Sequence, residues 1–519
     1  MANLKALFVI LCLSLPVFWI AEKFVCEFTT NKIDFLRRRN LWIALTVLAF
    51  ASHSYWVYVI GAILIIAFGA RQEKNRLALF AALMMAVPSF GATIEGFAGI
   101  QQFVQINHLR LMSALIFIPA YVNIRRRPGV LPFGRTTADK LLFAYIAMQL
   151  TLQFSVSSMT ALARYAIYSF LEVFLPYYIA SRGLKDFNNY RETFTAFFMA
   201  VMIMAPVAIF EYARHWLLYS QLAGSMGLSD NMGSYMGRSD SLRAQVSAGH
   251  SIALGYAVVV ALGLLVYVQK FISSRILIIL AVTLLIGTLV ATGARGPWVG
   301  SAAVLAVVLL TGPGKFRRLI KGVAIVIPVI FALSFTTFGQ DIFDALPFIG
   351  TVDVESIDYR QRLFDISMVV IWQHPFFGVF DYLVNPLMQE LIQGDGIIDV
   401  VNSFLGVALT YGFIGLGLFC GIFACAGLGV RRVMRQSENT SEWNLLGRSL
   451  MAILAGILIT IVTVSSISFI PWIYWIVVGL CVGFAHLGLK NASNLDLNLS
   501  DGSYSDIVMP NIPFGIKSS

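Results

Sequence analysis

The chain has 519 residues, of which 58% are hydrophobic and only 12% charged, with a mean hydropathy of +0.79. Soluble domains carry roughly 25% charged residues, so the composition excludes one and points to a chain that lives in a bilayer. The net charge of +10 is no sign of nucleic-acid binding, because the basic residues sit in short loops beside apolar runs, the pattern of the positive-inside rule.

The apolar runs are continuous rather than alternating, which predicts an all-α, polytopic helical membrane protein and not a barrel. With roughly 20 residues needed per span, about 12–15 transmembrane helices are expected. The first run, Leu4 to Ile20, has no small-residue cleavage site after it and reads as a retained helix. Leu41–Ala70 reads as one long span or as two short ones broken at Ser52-His53-Ser54, and the positive-inside rule favours two. Basic loops then recur at Arg71–Arg76, Arg125–Lys140, Arg182–Arg191, Lys270–Arg275, Lys315–Lys321 and Arg431–Arg448. Two helices fit between each successive pair: 77–94 with 109–124, 140–156 with 164–181, 193–219 with 249–269, 276–292 with 298–311, 320–338 with 402–428, and 449–467 with 471–489.

This parity puts the basic loops on the cytoplasmic side and everything between each pair of helices on the other. The expected organisation is a first transmembrane block over 1–338, a large loop on the non-cytoplasmic face over 339–401, a second transmembrane block over 402–490 and a disordered cytoplasmic tail over 491–519. The loop holds an apolar period in Tyr359–Trp372 (Leu363, Ile366, Val370), which predicts an amphipathic helix against the membrane domain. A second long outer segment, Ser220–Gly249, is polar and carries Arg238 and Arg243. Loops of this length in compact proteins are commonly functional.

Arg295 is the one ionisable residue between Ile276 and Leu310. Gly293, Gly296 and Pro297 break helices, so it reads as lying in a tight turn at the outer mouth of a helix pair. A guanidinium there is costly without a partner. The parity brings Arg164, Arg243, Arg360, Arg362, His250 and His374 to the same side. Arginine forks bind phosphate bidentately and stay charged at any relevant pH, so the group suits an amphiphile with a diphosphate head. The plainer reading is that such arginines pair with acids or snorkel to head groups. His250 opens an apolar span and can act as a general base, as a hydrogen-bond donor, or merely as an interfacial residue. His374 precedes a proline and reads more simply as a helix-end residue. Asp353, Glu355 and Asp358 can activate a hydroxyl, but read more simply as a solvated face. The five cysteines lack metal-ligand spacing. There is no DxD pair, HExxH, P-loop or GxSxG, so metal, nucleotide and serine-hydrolase chemistry find no support.

Four pieces in order over about residues 240–430 carry a resemblance. They are Gly249-His250 with Gly255 after Arg243; Arg295-Gly296-Pro297-Trp298; Arg360-Gln361-Arg362-Leu363 with His374-Pro375-Phe376-Phe377-Gly378; and Asn402-Ser403-Phe404-Leu405 followed by Tyr411-Gly412-Phe413-Ile414-Gly415. The chain resembles the O-antigen ligase and polymerase superfamily of bacterial inner-membrane glycosyltransferases. One departure stands out: where ligases of that family place a histidine before the asparagine of the last piece, this chain has Val401.

The resemblance implies a polyprenyl-diphosphate-linked glycan (undecaprenyl diphosphate as carrier), transfer without metal or other cofactor, and an acceptor glycan or lipid. It also implies other polysaccharide-assembly proteins as partners. Together with the arginine group on that face, it points to a catalytic group of Arg295, His250, Arg360 and Arg362, and a substrate-binding group of Arg243, Arg164, Asn402 and His374. Val401 tilts the reading toward a polysaccharide polymerase. A ligase moving a finished glycan onto a lipid core or a protein, a transporter of lipid-linked sugars, and an inactive scaffold are the alternatives.

Overall fold

The computed structural model describes residues 2–24, 31–96, 102–228, 237–238, 241–312, 354–392, 398–438 and 440–500. It opens with α1 (Ala2–Phe24), α2 (Lys32–Ala51) and α3 (Tyr55–Ala70), and the break between the last two falls at Ser52-His53-Ser54. A short α4 (Arg76–Leu83) and an antiparallel hairpin, β1 (Gly91–Glu95) with β2 (Gln102–Asn107), follow. Next come α5 (His108–Met112) and α6 (Ile118–Arg125), joined by the π-turn Ser113–Phe117, then α7 (Thr137–Val156). A second π-turn, Phe170–Phe174, joins α8 (Met159–Ser169) to α9 (Leu175–Arg182). Apart from the single turns Leu222–Ser225 and Pro386–Gln389, the remaining α-helices among the described residues are α10 (Phe187–Arg214), α11 (Ser251–Val268), α12 (Arg275–Thr292), α13 (Arg295–Leu310), α14 (Val354–Gln373), α15 (Ser403–Gln436), α16 (Glu442–Ile461) and α17 (Ile470–Ser500).

Seven helices among the described residues are long and apolar enough to cross a membrane, and Tyr55–Ala70 and Arg295–Leu310 are shorter apolar helices beside them. The chain is therefore an all-α polytopic membrane protein. Its centre is α10 and α11. Of their apolar windows 83% and 89% is buried inside the protein, against 28% for α1 and for α12, which leave most of their surface facing outward. A helix apolar all round belongs in such a core. The expected span 320–338 lies outside the described residues.

Two expectations fail. The span placed at 77–94 is only the two turns of α4, after which the chain runs without helix to the hairpin. The apolar stretch is too short to cross because Pro88 and Gly91 interrupt it. Irregular backbone inside a membrane protein must still find hydrogen-bond partners. Here Thr46 Oγ1 donates to Ala86 O (3.0 Å), Ser247 Oγ to Met85 O (2.7 Å), and the buried His108 meets Leu83 O through Nε2 (3.2 Å). The second failure concerns only the start of the tail, since 501–519 lie outside the described residues. α17 continues to Ser500, into the segment expected to be disordered. Polarity argues against a buried core, not against a helix already nucleated in its apolar part. No Gly or Pro intervenes before Gly502.

The helices have two chemically distinct ends. At one end Arg191 holds Glu442 with Nη2 2.7 Å from Oε2, and Tyr267 also donates to Glu442. Arg182 pairs there with Asp139 at 2.6 Å. These residues belong to, or lie beside, the basic loops. Arg275 begins α12 and Arg295 begins α13, so Arg295 lies at the opposite end.

Candidate active site

Among the helices that start at that opposite end, three, α11, α13 and α15, have starts that are held differently. His250 caps α11: its Nδ1 accepts from the N–H of Ile252 at 3.2 Å. Asn402 caps α15, its Oδ1 accepting from Phe404 N and Leu405 N at 3.0 and 3.2 Å. Ala294, which precedes α13, has no side chain to cap with. Helix starts carry a partial positive charge and unsatisfied N–H groups, and at α13 no cap side chain takes them up.

The turn before α13 needs Gly293 in the left-handed region, at φ +55°. Arg243 lies against it, with Nε donating to Thr292 O at 3.0 Å, and Ala244 N donates to Ala291 O at 2.9 Å. The loop carrying Arg243 is pinned from behind. Glu211, fully buried near the end of α10, accepts from Leu218 N (2.9 Å), Gln245 N (3.0 Å) and Val246 N (2.9 Å). The half-buried Arg295 follows as the first residue of α13.

Small residues bring the helices close enough to share this end. A methyl on Gly255 of α11 would lie 2.7 Å from Pro297 Cγ. A methyl on Gly296 would collide with Thr463, just past α16. The segment after α16 then reaches α15. Ser403 Oγ donates to Val464 O (2.9 Å), and Ser466 and Ser403 share a hydrogen bond of 2.8 Å. Ser465 Oγ donates to the carboxylate of Asp399.

Asp399 sits three residues before Asn402 and two before Val401. The Tyr359 hydroxyl of α14 donates to Asp399 O (3.0 Å) and accepts from Asp399 N (3.1 Å). Asp399 is also within electrostatic reach of His250. Burial first, and then the Arg243 guanidinium, push the His250 ring down to about 4 against the opposing pull of Asp399. A backbone N–H can only donate, so Nδ1 of this neutral ring is the acceptor and the proton rides on Nε2. The cap thus presents His250 as a hydrogen-bond donor. The structure therefore assembles Arg243, His250, Arg295 and Asp399 around one end of α11, α13 and α15.

The remaining candidates are placed differently. Arg360 and Arg362 are exposed on α14, whose buried stripe is Leu363, Ser367, Val370 and Ile371. Arg360 directly follows Tyr359, the residue that ties α14 to Asp399. His374 is exposed at the helix end, its carbonyl accepting from Gly378 N at 3.0 Å. The His-Pro-Phe-Phe-Gly run is a clamp. α15 breaks at Gly412 (φ 63°, ψ −168°). The N–H groups freed there donate to Pro375 O (2.7 Å) and Phe376 O (3.3 Å), while Val379 N donates to Leu409 O (2.8 Å). Arg164 lies on α8 and donates to Gln102 O of β2 at 2.7 Å. No contact joins it to the Arg295 group among the described residues. Asn402 is engaged as a helix cap. Asp353 lies outside the described residues.

Residues 279–420 match the family model described as O-antigen ligase. Over that stretch the chain is similar to the O-antigen ligase family. Among curated proteins no match is found. The stretch matched to the O-antigen ligase family holds Arg295, Arg360, Arg362, His374, Asp399 and Asn402, and leaves out Arg243 and His250, which the fold brings to the same end. Glu211, Tyr359 and Asp399 escaped the sequence reading. A lone acid in the apolar end of α10, Ala208-Ile209-Phe210-Glu211, was the available signal for the first. For Asp399 it was proximity to the place where the family carries a histidine.

Proposed function

We propose that the protein is a polysaccharide polymerase that transfers glycan from a polyprenyl-diphosphate-linked donor to an acceptor sugar hydroxyl at the periplasmic face of a bacterial inner membrane. The observation that carries this reading is the convergence of Arg243 and Arg295 with the uncapped start of α13, facing away from the basic loops. A helix start and arginine forks are the two elements that proteins use to hold phosphate.

The donor enters between helices with its diphosphate against Arg295 and Arg243, and Arg360 or Arg362 closes over it from α14. The acceptor hydroxyl attacks C1 of the donor sugar, the bond from C1 to the diphosphate oxygen breaks, and polyprenyl diphosphate departs. Charge building on that leaving group is where a fixed guanidinium lowers the barrier. The hydroxyl proton passes to the carboxylate of Asp399, which Ser465 orients. Neutral His250 donates from Nε2 to the diphosphate or the sugar. Carboxylates serve as bases when geometry brings them within hydrogen-bond reach of the proton.

A ligase is the second reading, favoured by the description of the matched family. It performs the same bond exchange on a different acceptor. Deletion of the protein separates them: lipid-linked single repeat units accumulate if it polymerises, and long lipid-linked chains accumulate if it ligates. Replacing Arg295 with Ala tests the site itself, since polymer growth must stop while the protein stays in the membrane.

A further inference from the structure

The opposite end of the molecule holds a feature that glycan transfer does not use. A cavity of about 330 Å³ opens between the start of α4, the end of α6, the end of α9 and the start of α10. Ligand sites are typically about 300–1,000 Å³, so it is large enough for a small head group. Four cations line it: Lys74, Arg76, Arg127 and Lys185. None of the four forms a side-chain hydrogen bond or ion pair among the described residues. Lys74, Arg127 and Lys185 are exposed, and Arg76 is half-buried. The one carboxylate in the lining, Glu73, is fully buried and taken. It holds Arg38 at 2.7 Å and accepts from Asn75 N at 3.3 Å. The first turn of the eight-residue α4 adds its positive end, with Asn75 as cap. Leu77, Ile124, Ile179 and Leu184 supply an apolar floor.

We infer that this cavity is a binding site for a phosphate-bearing anion at the basic end of the molecule. Four cations around a concave, partly apolar site fit a phosphate group carried either by an anionic lipid head or by a soluble phosphate. Basic pockets between helices on the cytoplasmic side are known to bind such lipid heads.

The test uses the full-length purified protein in neutral detergent. Thermal unfolding is followed with inorganic phosphate added, and separately with micelles doped with phosphatidylglycerol or with phosphatidylcholine. The triple variant Lys74→Gln/Arg127→Gln/Lys185→Gln is compared with Arg125→Gln/Arg126→Gln/Arg135→Gln. The second variant loses the same charge from exposed residues that do not line the cavity. The proposal expects the wild type and the second variant to be stabilised by at least one phosphate source and not by phosphatidylcholine. In the first variant the apparent affinity should fall roughly tenfold or more, the effect of removing charge-assisted hydrogen bonds. Stabilisation by phosphatidylglycerol alone identifies a lipid head as the source, and stabilisation by phosphate alone a soluble one. If neither stabilises the wild type, or if both variants lose the response equally, the proposal fails. Should the triple variant not be recovered, Arg127→Gln, exposed on its loop, carries the same expectation.

Discussion

Arg295 and Arg243 stand on the two sides of one turn, and their chemistry is that of the guanidinium fork rather than of charge alone. Arg295→Lys keeps the charge and loses the bidentate geometry, so transfer should fall by about 100-fold or more, in the range seen when one oxyanion-stabilising donor is removed. Asp399→Asn should be nearly as damaging if Asp399 takes the proton, whereas Ser465→Ala, which only frees the carboxylate, should cost less; initial rates with purified lipid-linked donor rank the three. His250 gives a pH signature. Its folded value is about 4 against an ordinary 6.5. The unfolded ring therefore takes up a proton below about 6.5 while the folded ring stays neutral, and stability that is whole above that pH drains as pH falls toward 4. His250→Asn can still cap α11 and does not titrate, so its unfolding temperature should drop less between pH 7 and 5 than that of the wild type.

At the scale of elements, the site depends on how α14 is held. The Gly412 break in α15 is locked by the Phe376 carbonyl, and a methyl there would collide with it. Because Gly412 also sits at φ +63°, Gly412→Ala should cost about 1–3 kcal/mol in backbone strain and loosen α14. Limited proteolysis should then cut within 374–392, and activity should fall with Arg295 intact. Glu211→Gln makes a related case. An amide presents a donor to backbone N–H groups that need acceptors, so the Arg243 loop should lose order and transfer should fall without loss of the protein from the membrane. The amphipathic helix, the break at Ser52–Ser54 and the helix pair around Arg295 were legible because periodicity, breakers and isolated charge are local signals. The clamp was not: Gly378 and Gly412 are far apart in sequence, and only their backbone contact explains why the His-Pro-Phe-Phe-Gly run faces the Tyr-Gly-Phe-Ile-Gly run. The loss of the 77–94 span has a similar cause, since its backbone is satisfied by Thr46, Ser247 and His108 from distant parts of the chain.

At the scale of the molecule, alternation of basic and non-basic connections distinguishes two ends, because charge in loops is a property of composition. It could not show that α11, α13 and α15 begin side by side, which depends on glycine contacts among α11, α13 and the segment after α16. The two-ended arrangement predicts sidedness. In a cysteine-free background, Gln373→Cys should react with a membrane-impermeant maleimide from the periplasmic side, and Ser437→Cys only after the inner membrane is opened. The central claim is that a lipid-linked diphosphate is held at the Arg295 end. The most direct measurement is the glycan profile of cells carrying Arg295→Ala at wild-type membrane abundance. The account predicts no polymer and an accumulation of lipid-linked single repeat units; polymer of normal amount and chain length would contradict it.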